Sequence, residues 1–270
     1  MQVSFWSNYH QQGTTNNMVA TVLFIALKYR LRILMTHNHF DRSTLESAFI
    51  DTSYIKYSIL DFSDTGIDAL SRFIKSNKVQ KDDISSYTTT ILKGRLDLLV
   101  GTRGSNQDIY QNNLKETIPL ILQAAGDYYD LVFIDTAPGN NEISQKIIEN
   151  SDLVVINTNQ NPNTIKVLLD NCDDNKEKLL FLLGQYDYNS RYNIKNLKRR
   201  FNIENICSIP YCVGFADACI DSKIVDFFIR NIDIDKNDVY NCFFTGVEQT
   251  AQSILTILGI NESKKNLAGG

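Results

Sequence analysis

Little in this 270-residue chain would let it fold as a disulfide-stapled or zinc-knuckle module: its five cysteines, Cys172, Cys207, Cys212, Cys219 and Cys242, are odd in number and form no C-x-x-C pair. Such isolated thiols suit a reducing compartment, and a cytoplasmic location is expected. Long hydrophobic runs are missing too. No apolar stretch reaches the roughly 18 residues that a membrane-spanning helix needs, and no basic segment leading into an apolar run opens the chain, so neither a membrane span nor secretion is expected. Four prolines and thirteen glycines are scattered without a Pro/Gly/Ser-rich linker. A single domain over residues 1–260 is therefore expected, followed by a flexible tail, 261–270 (NESKKNLAGG). Charge of one sign is also scarce: 27 Lys and Arg against 31 Asp and Glu leave a net charge of −4, too weak a global field to gather nucleic acid or anionic lipid. Any such contact has to be local.

What the chain does have is apolar residue, 43% of the total, divided into short runs. QVSFW (2–6), RILM (32–35), YSIL (57–60), LDLLV (96–100), LVFI (131–134), LVVI (153–156) and LLFLL (179–183) have strand length, and most are separated by one segment with helical spacing. That order predicts an α/β fold: a mostly parallel twisted sheet of seven or eight strands with helices on both faces. The polar stretch 76–95 breaks the rhythm and is expected to form a loop or a short surface excursion. A last helix is expected from Asp238 to Leu258, with Val239, Phe243, Val247 and Ile254 on one face.

Ligands of open α/β sheets gather beyond the carboxyl ends of the strands, so the loops that follow them carry the chemistry. The first is SNYHQQGTTNN, Ser7 to Asn17, leading into the helical run MVATVLFIALKYR. Gly13, Thr14 and Thr15 stand at the start of that run, where backbone N–H groups and the helix dipole attract an anion. The two threonines also suit a plain N-cap role. Asp135 ends the LVFI strand, where an acidic residue also serves as a plain turn cap. The three histidines, His10, His37 and His39, all fall in the first two strand-end loops. With Asp135 they suit a transition-metal site, or else they are polar filling.

Taken in order, these segments resemble the ParA/MinD family of P-loop ATPases. The first loop aligns without gaps on the family's deviant Walker A, S-G-K-G-G-V-G-K-T-T, with Ser7, Gly13 and Thr15 at matching positions. YDLVFIDTAPGNNEIS (129–144) resembles its Walker B strand and switch II loop, SDLVVINTNQNPNTIKVLL the next strand and loop, LLFLLGQYDYNSRYN the strand whose loop touches adenine, and SIPYCVGFADACIDSKIVDFF the late loop covering the base. Within the family the likeness is to TadZ-type proteins of pilus assembly. The resemblance implies a P-loop NTPase-like fold and bound ATP or ADP with Mg²⁺. It assigns Gly13, Thr14, Thr15, Asn16, Gln185 and Pro210 to the nucleotide, Thr15 and Asp135 to the metal, and Asp135 to catalysis.

Departures from the pattern bear on activity. Tyr9 and Thr14 stand where the family has its two lysines, His10 and Gln11 where it has glycines, and the second strand offers Thr36 and Asn38, with Asp41 further on, where it usually ends in aspartate. Each lost charge-assisted contact costs about 3 kcal/mol in a phosphoryl-transfer transition state, roughly a hundredfold in rate. A slow ATPase or a pseudo-ATPase is expected unless Arg103 or a second chain restores a cation. The implied role is that of a homodimeric localisation factor with a partner in pilus or secretion assembly. A plasmid or mobile-element partition protein is the alternative, with Lys195, Lys198 and Arg199 at helical spacing as a nonspecific DNA patch or simply a solvated face. A small-molecule enzyme is a third reading, for which Asp135 is the only convergent carboxylate. The C-terminal extension has no apolar face for membrane docking.

Overall fold

The computed structural model describes residues 1–40, 44–51, 65–77, 80–102, 104, 106–170 and 176–260. Six of the apolar runs become β1 (Gln2–Trp6), β2 (Ile33–His37), β4 (Leu96–Leu98), β5 (Leu131–Asp135), β6 (Leu153–Thr158) and β7 (Leu179–Leu183). With β3 (Thr89–Leu92) and β8 (Ile206–Ser208) they form one eight-stranded sheet in the order β3-β4-β2-β5-β1-β6-β7-β8. Every neighbouring pair is parallel except β3 with β4. β1 sits in the middle, with Phe5 level with Asp135 on one side and Val155 on the other. The chain leaves β1 for β2, beyond β5, and later crosses from β5 over β1 to β6. These opposed crossovers open a crevice at the carboxyl end of β1.

Alternation along the strands divides the core. Val3, Phe5, Met35, Phe133 and Val155 face α1 (Thr14–Lys28), α7 (Val213–Ile220), α8 (Ile224–Asn231) and α9 (Asn241–Ile257). On the other face, Leu34, Val132 and Ile134 meet α2 (Gly66–Ser76), α3 (Gln107–Tyr128) and α4 (Glu142–Asn150). Val154, Ile156, Phe181 and Leu183 meet α5 (Pro162–Asp170) and α6 (Ile194–Phe201). Parallel strands covered on both sides have no polar face, hence their continuous apolar runs. The same logic explains α1, in which every residue from Asn17 to Ala26 is buried: it lies between the sheet and α9 and has no solvent side to keep polar.

The 76–95 stretch is more ordered than a loop. Asp83–Tyr87 is a 3₁₀ turn, and β3 runs antiparallel to β4 through a tight connection in which Gly94 takes φ +70°. As a half-exposed edge strand, β3 carries too little apolar residue to stand out in the sequence. The last helix starts at Asn241 rather than Asp238, because the Asp238 carboxylate accepts from Tyr240 N at 2.8 Å and holds a turn there. Val239 is accordingly 83% exposed, while Phe243, Val247 and Ile254 are buried. The strand expected at 57–60, the 261–270 tail, Asp41, Arg103 and Cys172 lie outside the described residues. Among the described residues no helix is long and apolar enough to cross a membrane.

Candidate functional site

The loop from Ser7 to Gly13 fills the crevice at the end of β1. Ser7 is buried; its hydroxyl donates to Tyr9 O (2.8 Å) and accepts from Thr14 Oγ1 (3.2 Å), and its carbonyl accepts from Gly139 N (3.3 Å). Gln11 and Gly13 adopt φ of +62° and +72°, which turns the chain back into α1. Gly13 is the N-cap and supplies no side-chain acceptor, leaving the first-turn N–H groups to an outside anion. The loop is pinned by the ends of the next two strands, β6 and β7. Asn17 Nδ2 donates to Asn157 Oδ1 at 3.0 Å, and a Cβ on Gly184, just past β7, would come within 2.8 Å of both Asn17 Nδ2 and Gln12 O. Tyr9, His10, Gln11 and Asn16 are exposed, and the chain has no Lys or Arg before Lys28.

Opposite this loop stands Asp135, fully buried at the end of β5. Thr15 Oγ1 donates to its Oδ2 at 2.6 Å. His39 Nε2 lies 3.3 Å from the same oxygen, an ion-pair distance without hydrogen-bond geometry. Among the described residues Asp135 Oδ1 has no hydrogen-bond partner. Burial disfavours the His39 imidazolium, but the Asp135 and Glu46 carboxylates outweigh it and push its pKa above the usual 6.5. The switch-like segment after β5 is tied down in turn. Asn38 Oδ1 accepts from Ala137 N (2.6 Å), Asn38 Nδ2 donates to Ser144 Oγ (3.1 Å), Ser144 Oγ donates to Ala137 O (2.9 Å), and Asn141 caps α4.

His37 does different work from His39. Its Nδ1 accepts from His39 N (3.1 Å), which assigns the proton to Nε2, and Nε2–H donates to Glu46 Oε1 at 2.6 Å. Gly101 N donates to the same Glu46 oxygen (2.9 Å), and a Cβ on Gly101 would come 2.2 Å from the His37 ring. Burial opposes the Glu46 charge, yet His37 and Gly101 bring its pKa down from 4.5 to about 2. His10 is exposed on the first loop. Of the two readings open for the three histidines, a shared metal site finds no support: among the described residues no three His, Cys, Asp or Glu side chains form such a group. Thr36, likewise, is buried with its hydroxyl on Leu99 O (3.2 Å), a bond internal to the sheet.

The fold gathers Gly13, Thr14, Thr15 and Asp135 at one point. Gln185 is exposed immediately after Gly184, with φ +49°. Pro210 follows β8 and packs on α9, its Cδ lying 3.2 Å from where a Gly246 Cβ would be. Both are on the same end of the sheet as the loop but not in the Thr15–Asp135 contact. Sequence reasoning named Asn38 but not its bonds to Ala137 and Ser144, and it missed Asn17 and the separate roles of His37 and His39. On α6, Lys195, Lys198, Arg199 and Arg200 are exposed beside Arg191, and residues 188–203 contain no acid.

This is a doubly wound sheet with a strand–loop–helix turn and a buried carboxylate meeting at its switch point. No protein-family model matches the sequence, and no curated protein does. Solved structures do match. A ParA family ATPase from Chlorobium tepidum TLS superposes with a TM-score of 0.71 at 12% identity, over 93% of this chain and 98% of that one. The septum site-determining protein MinD of Pyrococcus horikoshii OT3, complexed with Mg-ADP, gives 0.67 at 12% identity over 96% and 97%. Apo McdA from Cyanthece gives 0.62 at 15% identity over 92% and 98%. The fold of this chain is that of the ParA/MinD P-loop NTPases.

Proposed function

We propose that this chain is a nucleotide-binding positioning protein with little turnover of its own, working as a homodimer in the cytoplasm. The observation that carries the reading is the Thr15 hydroxyl on Asp135 at the uncapped start of α1, with the second carboxylate oxygen buried and without a hydrogen-bond partner among the described residues. A buried carboxylate oxygen without a donor is costly, and a hydrated Mg²⁺ held with the phosphates of ATP or ADP relieves that cost. The ion would offset phosphate charge. Gly13, Thr14, Thr15 and Asn16 would meet the phosphates, Thr15 and Asp135 the ion, and Gln185 and Pro210 the base. With no Lys or Arg in the loop, the transition-state charge finds no cation from these residues, so binding outlasts catalysis. Titration of labelled ADP and ATP with Mg²⁺, with light scattering alongside, tests this. Micromolar binding and nucleotide-linked dimers are expected, while absence of binding, or a strict monomer throughout, overturns the reading.

The cargo is read as a component of pilus or secretion assembly, from the TadZ-like order of segments. One observation favours the partition alternative: five exposed cations on and beside α6 without an intervening acid suit a phosphate backbone. That reading requires salt-sensitive duplex binding that weakens when Lys195, Lys198 and Arg199 become Ala together. No shift of any duplex at low salt removes it.

A further inference from the structure

Two buried polar atoms at one point lack hydrogen-bond partners among the described residues: Asp135 Oδ1 and His39 Nε2. They are neighbours, since His39 Nε2 lies 3.3 Å from Asp135 Oδ2, on which Thr15 Oγ1 also sits at 2.6 Å. Their proximity follows from the sheet. His37 is level with Asp135 in the β2–β5 pairing, so the residue two positions beyond it emerges just above the carboxylate. The His39 backbone is held there by its N–H on His37 Nδ1, and His37 cannot itself turn toward Asp135 while Glu46 and Gly101 hold it.

We propose that His39 joins Asp135 and Thr15 as a ligand of the nucleotide-bound cation, so that this site prefers a divalent transition ion such as Mn²⁺ or Co²⁺ over Mg²⁺. The inference rests on the nucleotide reading above, because two strong protein donors and a hydroxyl do not complete a coordination sphere and phosphate oxygens would supply the remainder. The chemistry of the donors sets the preference. Carboxylate, hydroxyl and phosphate are hard ligands that serve Mg²⁺ well, whereas an imidazole nitrogen adds affinity that rises along the first-row series.

The test uses the full chain at mildly alkaline pH, with Mn²⁺ as the spectroscopic probe and ADP as the nucleotide. Pulsed electron paramagnetic resonance of the Mn²⁺–ADP complex is expected to show coupling to a histidine ¹⁴N that disappears in His39→Ala and His39→Gln. The preference for Co²⁺ over Mg²⁺, measured by competition, should fall by about tenfold in the same variants. A thermal melt of each variant identifies any that fails to fold, and two replacements keep one available. If ADP binds but the wild-type complex shows no nitrogen coupling, or the preference survives in both variants, this inference falls and the nucleotide reading stands. If ADP fails to bind with any of these metals, the nucleotide reading falls; a ¹⁴N coupling from Mn²⁺ alone would then still support His39 as a ligand, and its absence would overturn both.

Discussion

The two loops that meet over Thr15 and Asp135 are built in opposite ways. In the segment after β5, side chains do the holding: Asn38, Asn141 and Ser144 satisfy one another and the backbone of Ala137. In the loop after β1, the outward side chains Tyr9, His10 and Gln11 are exposed, and position comes from the buried Ser7, from two left-handed residues and from close backbone approach at Gly184. A loop held from within, by Ser7, Asn17 and its backbone turns, can exchange its outward side chains, cations included, and keep its shape. A loop held by side-chain hydrogen bonds cannot, and it is there that the acidic group remains. Shape and charge therefore have separate supports in this site.

Asp135→Asn cuts deepest into that contrast. It keeps the side-chain shape and removes the charge, so metal-dependent nucleotide affinity is expected to drop about a hundredfold, near 3 kcal/mol. The melting temperature should hold or rise, because the buried carboxylate oxygen without a donor is relieved. Calorimetric titration beside a thermal melt checks both halves, and unchanged affinity would detach Asp135 from the ligand.

Acid tests the scaffold beneath the acidic loop. Glu46 has a pKa lowered in the folded state from 4.5 to about 2, so its contribution is present above pH 4.5 and is lost as pH falls through about 2. The shift corresponds to about 3 kcal/mol of stability. Denaturant unfolding between those limits should show the loss in the native chain and a flatter profile in Glu46→Gln. Equal profiles would mean that the His37–Glu46–Gly101 contact contributes nothing to folding.

Gly184→Ala probes the backbone-held loop from outside. The new methyl would meet Gln12 O and Asn17 Nδ2 at 2.8 Å, and a backbone oxygen has little room to give. A cost of about 1–3 kcal/mol is expected, with weakened nucleotide binding. A loss of stability with full binding would show that the loop's position matters less than its own turn.

How much of this was legible in the sequence follows from the range of each interaction. The parallel strands announce themselves because both of their faces are buried, and Asp135 does so because it ends one of them ahead of a Pro-Gly turn. β3 and β8 do not, one being a half-exposed edge and the other only three residues long. The Asn17–Asn157 bond spans 140 positions, and the His39–Asp135 approach depends on the β2–β5 register; no local pattern encodes either. The histidines could be counted but not sorted, since Glu46 claims one of them and its position in the sequence gives no hint of that.

The smallest expected effect asks most directly whether the first loop has kept its shape without its charge. Thr14 is half-buried at the first position of α1, its hydroxyl on Ser7. Thr14→Lys returns an ammonium to the anion cradle at the expense of one weak side-chain bond. Where the backbone still aims at a phosphate, a charge-assisted contact should raise ADP affinity about tenfold, near 1.4 kcal/mol, and steepen its salt dependence. Tyr9→Lys, on an exposed part of the loop, should do less, because a solvated ammonium is screened. Nucleotide titration at two salt concentrations separates the cases. An unchanged affinity in Thr14→Lys would mean that the backbone no longer presents its donors to an anion, and the shape would then have departed with the charge.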